Sequence, residues 1–408
     1  MKLLHTSDLH LGKRLENLSR FDEQKEVLNE ICGIADAEQV DAVIVSGDLF
    51  DTYNPSAEAV DLFYRTLKRL ANNGKRAVIA IAGNHDSPDR IAAPDPLARE
   101  CGILFAGYPD VIIPPFELES GLRLIRSEEG FVELHLPGCS DPLRILLTPY
   151  ANEFRLKAYL GHEDSEEELR KLLNDKWSSL AQKYCDVKGI NILISHLFFA
   201  RKGAALPEEP EDEKPILHVG GAQVIYTENI PPQIQYVALG HLHRKQTIDT
   251  NPCPVIYAGS PLSYSFAEAD QKKYVVVLNV EPGKIPVISN HELTKAKRLL
   301  RKRSESVDEA IEWLLAHQLA LIELTMSTDT YLTAEERKSL NNAHNGIISI
   351  IPDVKRVDDD QVNFRRAIDL TKGMDELFTD YFRYEKGQEP NQQILSLFKE
   401  ILAQEGEE

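Results

Sequence analysis

Long apolar runs are missing from this sequence, and none approaches the ~20 residues that a membrane-spanning helix needs. The N-terminus begins with strand-like Lys2-Leu3-Leu4-His5 and lacks the apolar core and cleavage site of a secretory signal. Cysteine is sparse: the five cysteines are odd in number, widely spaced and never arranged as CxxC. That pattern argues against a disulfide framework or a thiolate zinc site. Together these absences predict a cytoplasmic protein with reduced, buried thiols.

Positive charge is also scarce, since 46 Lys and Arg face 65 Asp and Glu and give a formal net charge of −19. Nucleic-acid binding relies on Lys and Arg contacts with phosphates, so this balance by itself counts against a nucleic-acid ligand. Two features could offset it. Bound divalent cations would make part of the surface locally positive, or a partner chain could provide most of the grip on DNA. Composition does not decide between them.

At 408 residues the chain exceeds the usual size of one domain. Residues 1–275 alternate short apolar runs with helical patterns, which predicts an α/β (α+β) fold with two face-to-face sheets flanked by helices. Residues 283–355, beginning with a strand at Ile285–Ser289, predict a small α/β capping unit. Asp358–Asp360 resembles a hinge. Residues 365–408 contain two amphipathic segments, which predict a helical hairpin that docks on another surface.

Polar residues with metal-binding chemistry follow the apolar strands in five short segments. They are Asp8-Leu9-His10, Gly47-Asp48-Leu49-Phe50-Asp51, Gly83-Asn84-His85-Asp86, Ser195-His196 and Gly240-His241-Leu242-His243. Strand ends can aim short side chains into one cleft, and DxH or HxH spacing in extended backbone places both side chains on one face. Carboxylate, imidazole and amide ligands together suit Mn²⁺, Fe²⁺ or Zn²⁺ better than Mg²⁺ or Ca²⁺. One carboxylate between two cations can bridge them, as in two-metal hydrolases.

Each segment alone is weak support for a metal site, because buried histidines and capping aspartates are common in proteins without one. Their order, each after a strand, is far more specific. Other candidates are better explained by structure: His5 alternates with Leu4 on the first strand and is expected to pack in the core, and Ser260 is expected to be a turn serine. No nucleophile elbow is present, so covalent acyl chemistry has no support.

The ordered motifs resemble those of the calcineurin-like metallophosphoesterases. Within that family, Lys2–Gly12, Gly47–Thr52, Gly83–Pro88, Ala238–His243 and Tyr257–Pro261 resemble the SbcD-type nucleases of bacterial double-strand-break repair. The resemblance implies a hydrolase of DNA repair, recombination and replication. Its expected activities are 3′→5′ double-strand exonuclease, single-strand endonuclease and hairpin cleavage. The alternative is a metallophosphoesterase that acts on a small phosphomonoester or nucleotide.

The resemblance also implies a two-metal site. One cation is assigned to Asp8, His10, Asp48 and His243, and the other to Asp48, Asn84, His196 and His241, so that Asp48 bridges them. Mn²⁺ is expected in preference to Fe²⁺ or Zn²⁺, and a hydroxide activated by both metals is expected to attack phosphorus. His85 is expected to lie outside both ligand sets and to face the scissile phosphate, steadied by Asp86. Asp51 stands where some relatives have His, and only a supporting role beside the ligands is expected for it.

Two further features concern partners. Six basic residues are concentrated in one stretch of this acidic chain: Lys295, Lys297, Arg298, Arg301, Lys302 and Arg303. They form either a solvated face or a patch that tracks DNA phosphates. The chain has no GxxxxGK[ST] loop and so binds no nucleotide of its own by that means. The resemblance implies an SbcC-type ATPase partner with coiled coils, in a heterotetramer that contains a homodimer of this chain. It assigns the hairpin at 365–408 to that partner, a self-packed tail being the alternative, and implies no membrane contact.

Overall fold

The computed structural model describes residues 1–156, 165–207, 224–354 and 374–386, together with Pro390, Leu395 and Phe398. The chain divides into two compact units, Met1–Val354 and Lys355–Glu408. Among the described helices, none is long and apolar enough to cross a membrane. The hinge expected at Asp358–Asp360 lies outside the described residues.

The strands follow in chain order: β1 (Lys2–Thr6), β2 (Arg14–Leu15), β3 (Leu18–Ser19), β4 (Ala42–Ser46), β5 (Ala77–Ile81), β6 (Ile103–Ala106), β7 (Phe116–Glu117), β8 (Arg123–Glu128), β9 (Phe131–His135), β10 (Leu143–Thr148), β11 (Ile190–Ser195), β12 (Phe199–Ala200), β13 (Ile225–Tyr226), β14 (Tyr236–Leu239), β15 (Gln246–Asp249), β16 (Val255–Tyr257), β17 (Lys273–Asn279), β18 (Val287–Leu293), β19 (Leu299–Ser304), β20 (Leu321–Thr328) and β21 (Ile347–Val354). The helices are α1 (Phe21–Ala37), α2 (Ala57–Leu70), α3 (Pro88–Ala92), α4 (Asp95–Arg99), α5 (Glu153–Leu156), α6 (Ser165–Tyr184), α7 (Val307–Ala316), α8 (Ala334–Ala343) and α9 (Met374–Lys386).

Two large sheets form the body of the first unit. The first sheet has the order β18-β17-β1-β4-β5-β6, and the second β15-β16-β14-β11-β10-β9-β8-β7. Strands β1, β4, β5 and β6 are mutually parallel, as are β10, β11, β14 and β16. Parallel strands have both faces covered, which explains why β4, β5 and β11 are buried along their whole length.

The side chains of these strands alternate between two cores. Leu3 and Ile44 of the first sheet share one buried cluster with Ile145 and Ile192 of the second, so the sheets pack face to face. The opposite faces are covered by α1 and α2 on the first sheet and by α6, through Trp177, on the second. The predicted helix-flanked sandwich of two sheets is therefore confirmed.

A smaller sheet, β19-β20-β21, is parallel throughout and packs against α7 and α8 around Leu314, Leu324 and Leu340. Its elements match the pattern predicted after residue 300. The strand expected at Ile285–Ser289 differs, because β18 instead spans Val287–Leu293 and pairs with β17 along the edge of the first sheet. Pairing over seven positions satisfies its backbone groups there, so the small sheet begins only at Leu299.

The second unit contains α9, which matches the first of the two amphipathic segments predicted near the C-terminus. The Phe378 ring on this helix stacks on the Phe398 ring, with centroids 4.0 Å apart. Most of the second predicted segment lies outside the described residues.

Candidate metal centre

The predicted ligands gather where parallel strands of both sheets end. Asp8, Asp48 and Asn84 follow β1, β4 and β5, while His196 and His241 follow β11 and β14. Adjacent loops are joined by backbone hydrogen bonds. One runs from the Asp8 N–H to the Gly47 carbonyl over 3.0 Å, and another from the Gly240 N–H to the Ser195 carbonyl over 3.1 Å. The packing of the two sheets thus brings five separate loops to one cleft.

The first ligand group contains Asp8, His10 and His243, whose ligand atoms can converge on one ion. The Nε2 atoms of His10 and His243 lie 2.9 Å apart, and both rings are buried. The Asp8 carboxylate is held in place by the His241 N–H, which donates to its Oδ1 over 2.8 Å.

The second group is built around the Asn84 side-chain oxygen. It lies 3.0 Å from His196 Nε2 and 3.1 Å from His241 Nδ1. The other ring nitrogen of His196, Nδ1, lies 2.7 Å from the Ser46 carbonyl oxygen. Because that carbonyl can only accept, it fixes the tautomer that turns an Nε2 lone pair toward the site.

Asp48 lies between the two groups. Its Oδ2 is 3.5 Å from His10 Nε2 and 3.3 Å from His196 Nε2, while its Oδ1 accepts the backbone N–H of His85 over 3.0 Å. One carboxylate oxygen therefore faces imidazoles of both groups. This is the position that a bridging ligand must occupy.

The donor set fits divalent cations. The clustered atoms are carboxylate oxygens, an amide oxygen and imidazole nitrogens, the mixture that Mn²⁺, Fe²⁺ or Zn²⁺ binds. His10 Nδ1 is buried and has no hydrogen-bond partner among the described residues. Two imidazole Nε2 atoms 2.9 Å apart can share at most one proton, so they point at the same place without satisfying each other fully. Buried polar groups of this kind fit a cation shared among them.

Burial and mutual contact set the charges of the site. Burial opposes ionisation of Asp48, but adjacent His196 and His10 hold the pKa of its carboxyl well below the ordinary value. Burial likewise opposes protonation of His196, yet Asp48 raises the pKa of that imidazole to about 9. Burial lowers the pKa of His241 to about 3 and that of His10 well below 6.5. His10 and His241 are therefore neutral, the form that ligates metals.

Four of the gathered residues have left-handed backbone. The φ angles are 52° at Asp8, 41° at His10, 48° at Asp48 and 114° at His241. Such angles are costly for residues with a Cβ and persist where the surroundings determine them, often at functional sites. Here the strain turns short side chains away from the strand direction and into the cleft.

Two glycines make the close packing possible. A Cβ at Gly83 would lie 2.1 Å from Asp48 Oδ1, and one at Gly47 would lie 2.2 Å from His196 Nδ1. Gly47 also has a φ of 91°. Glycine at both positions lets the loops after β4 and β5 approach the ligands, which no other residue would allow.

His85 lies beside the first group. Its ring is perpendicular to the His10 ring with centroids 4.9 Å apart, and its Nδ1 lies 2.9 Å from the Asp51 carbonyl oxygen. The expectation that Asp86 steadies this ring needs correction. The Asp86 carboxylate instead accepts backbone N–H groups of Leu49, Phe50 and Gly83, because it is buried between the loops after β4 and β5. Asp86 therefore ties two loops together, and the Asp51 carbonyl orients the imidazole.

Asp51 also lies close to other predicted site residues. Its Oδ1 is 3.7 Å from His10 Nδ1 and 3.6 Å from Lys13 Nζ. This position, together with its carbonyl contact to His85, matches the supporting place expected for Asp51 beside the ligands.

Sequence inspection missed several residues that build the site. Arg155 is buried, and its guanidinium donates to the carbonyls of Gly83 and Asp86 over 2.7 and 2.8 Å. Ser260 is not a simple turn serine, since it is buried and its Oγ accepts from Lys273 Nζ over 3.0 Å. Neither has a spacing motif that could have marked it. His5 does pack in the core as expected, with Nδ1 2.9 Å from the Tyr236 hydroxyl.

The basic stretch lies elsewhere in the first unit, on β19 and the loop before it. Four of its side chains form ion pairs: Arg298 with Asp270, Arg301 with Glu323, Lys302 with Glu309 and Arg303 with Asp353. Lys295 and Lys297 contact Glu30 and Glu23 through their backbone N–H groups. Part of the positive charge is thus balanced within the chain.

Comparison with known proteins agrees with this geometry. The calcineurin-like phosphoesterase family matches residues 1–245. Three curated relatives are named as nuclease subunits of SbcCD. That of Bacillus subtilis is 34% identical over 411 residues, covering 99% of this chain and 98% of that protein. That of Rhodobacter capsulatus is 31% identical over 70% of this chain and 68% of its own length, and that of Escherichia coli K12 is 29% identical over 83% and 81%.

The fold, the site and the family match define a calcineurin-like phosphoesterase, and the chain belongs to that family. Within it, near full-length similarity places the chain among the SbcD nucleases, the nuclease subunits of SbcCD. The resemblance drawn from the motifs is confirmed, and with it the metal-dependent nuclease class.

Proposed function

We propose that this chain hydrolyses DNA phosphodiesters with two divalent cations that share Asp48. The observation that carries the proposal is the position of Asp48 Oδ2, within 3.5 Å of imidazole nitrogens from both groups. Asp8, His10 and His243 would complete one cation site, and Asn84, His196 and His241 the other. When bound, the cations would polarise the phosphate and lower the pKa of the attacking water.

The remaining chemistry falls to the side chains around that pair. His85 would face the phosphate and transfer a proton to the leaving oxygen, since its ring lies beside His10 and is oriented by the Asp51 carbonyl. Asp86 and Arg155 would hold the loop that carries Asn84 and His85 through their backbone contacts. Mn²⁺ is the cation we propose, because imidazole and carboxylate ligands are mixed in both groups.

DNA contact would involve the loop before β19. Lys295, Lys297 and Arg298 are exposed, and Arg298 is paired only at 3.4 Å with Asp270, whereas Arg301 lies 2.7 Å from Glu323. We therefore assign phosphate contacts chiefly to the first three. Arg301, Lys302 and Arg303 would contribute less, since leaving their carboxylate partners opposes transfer to phosphate.

The name that the relatives share, which makes each the nuclease component of SbcCD, supports a partner subunit for this chain too. We propose an SbcC-type ATPase, bound through residues 365–408, in a heterotetramer with two copies of each chain. Residues 1–275 would form the nuclease domain and 283–355 the DNA-contacting cap. Support for the docking segment comes from α9, where Met374 and Tyr381 are apolar or aromatic and exposed.

A gel assay tests this function. Labelled duplex, single-stranded and hairpin DNA would be incubated with the purified chain, with and without Mn²⁺ and with and without the ATPase and ATP. We expect Mn²⁺-dependent cleavage of single strands by the chain alone, and cleavage of duplex ends only with the ATPase and ATP. Hydrolysis of nucleoside monophosphates without any cleavage of DNA would instead identify a phosphomonoesterase.

A further inference from the structure

A buried ion pair lies directly behind His243, outside the segments that the motifs marked. Glu268 and Lys273 are 1% and 6% exposed, and His243 is 4% exposed. The Lys273 ammonium is bonded to Glu268 Oε2. An ion pair in the interior needs a reason, because apolar residues of similar volume often stabilise a fold as well or better.

Lys273 secures the backbone of His243 as well as Glu268. Its Nζ donates to the His243 carbonyl over 2.9 Å and to Ser260 Oγ over 3.0 Å. The Ser260 N–H donates to the same carbonyl over 3.1 Å. Lys273 begins β17, which pairs with β1, the strand that leads to Asp8. The ammonium therefore joins a rigid strand to the loop that carries His243.

Glu268 addresses the ring itself. Its Oε1 lies 3.4 Å from His243 Nδ1 and also accepts the Tyr264 N–H over 2.9 Å. The opposite ring nitrogen, Nε2, faces His10. A carboxylate can only accept a hydrogen bond from Nδ1, so it selects the tautomer whose Nε2 lone pair points into the site. It also raises the basicity of that nitrogen.

We propose that Glu268, anchored by Lys273, is the positioning residue that orients His243 for one of the two cations. The inference rests on the proposed two-cation site. In the second group a backbone carbonyl, that of Ser46, stands at the corresponding place behind His196. For His243 a charged side chain takes that place, and Lys273 supplies the counter-charge that allows a carboxylate to be buried there.

Direct Mn²⁺ binding to the full chain tests this role, by equilibrium dialysis against a competing chelator. Glu268→Gln alone would leave the Lys273 ammonium unpaired, so the main variant is Glu268→Gln combined with Lys273→Met. One cation should bind about 10–100-fold more weakly, the usual effect of losing such a partner, and the other should bind as before. The buried pair Glu133–Arg144, at 2.8 Å, provides a matched control. Glu133→Gln with Arg144→Met should leave both Mn²⁺ affinities unchanged.

A cycle with His243→Ala separates positioning from general loss of structure. If Glu268 acts through His243, adding the Glu268 and Lys273 changes to His243→Ala should weaken Mn²⁺ binding no further. Additive losses would overturn the proposal, as would wild-type affinity at both sites in the main variant or equal weakening in the control. If His243→Ala itself keeps both cations at wild-type affinity, the two-cation site fails. If only the main variant does so, the site stands and the positioning role fails.

Discussion

The Nε2 atoms of His10 and His243 lie 2.9 Å apart, although the two residues are 233 positions apart in the sequence. One follows the first strand of the first sheet and the other follows β14 of the second. Their approach therefore depends on the packing of two sheets, whose shared core includes Leu3 and Tyr236. Any change that shifts one sheet against the other should disturb the centre before it unfolds the chain.

Replacing His85 should slow catalysis without loss of metal. The ring contacts His10 and the Asp51 carbonyl but is not among the proposed ligands. We expect His85→Ala to reduce the rate of Mn²⁺-dependent cleavage by about 10²–10⁴-fold, the usual value of general acid help. Two bound Mn²⁺ per chain should remain. His291→Ala, on the edge strand β18, serves as the control and should change neither quantity. A fall in metal content in His85→Ala would make His85 a ligand.

The sequence carried enough information for the ligand cluster because each segment follows an apolar strand and strand ends meet at one edge. It could not reveal the partners that hold the ligands. Glu268, Lys273 and Arg155 contact the site through long-range packing, and no local spacing distinguishes a buried lysine from a surface one. Asp86 shows the same limit: adjacency to His85 suggested a contact, whereas the carboxylate points to Leu49 and Phe50.

The edge strand β18 was misplaced for a related reason. Its pattern of exposed and half-buried residues gives weak periodicity, and only pairing with β17 assigns it to the large sheet. The small sheet was easier to predict, since α7 and α8 begin at Ser306 and Thr333 with side-chain caps.

The two halves of the basic stretch should differ in their effect on DNA. Ala at Lys295, Lys297 and Arg298 should weaken binding to any sequence and lower the salt slope by about one unit per lost phosphate contact. Ala at Arg301, Lys302 and Arg303 should have a smaller effect, since these side chains pair with carboxylates. Binding titrations at several salt concentrations compare the two. Unchanged binding in the first variant would remove this loop from the DNA interface.

Removing the C-terminal segment should uncouple the chain from its ATPase. Deletion of residues 365–408 should abolish co-purification with the ATPase and ATP-stimulated cleavage of duplex DNA. Basal cleavage of single strands should survive, because every proposed ligand precedes residue 244. Met374→Asp with Tyr381→Asp, at exposed positions of α9, is the milder test and should weaken ATPase binding alone. Full ATPase binding by the truncated chain would refute the docking role.

Acid should destabilise the chain in part through His5. Burial lowers the pKa of this imidazole from 6.5 to about 3. Between these values the unfolded chain binds a proton that the folded chain does not, so stability is lost as pH falls. The loss approaches ~1.4 kcal/mol per pH unit. Urea unfolding at pH 7, 6 and 5 should therefore show a shallower pH dependence for His5→Gln than for the wild type. Equal slopes would show that His5 is not buried in its neutral form.

The most direct test of the central claim is the Mn²⁺ stoichiometry of Asp48→Ala, measured together with its nuclease activity. If Asp48 lies between two cations, wild-type chain should bind two Mn²⁺ tightly. Asp48→Ala should retain fewer, lose metal-dependent cleavage and keep a wild-type circular dichroism spectrum, since the residue lies in a loop beyond β4. Two tightly bound Mn²⁺ and wild-type cleavage in Asp48→Ala would contradict the shared site.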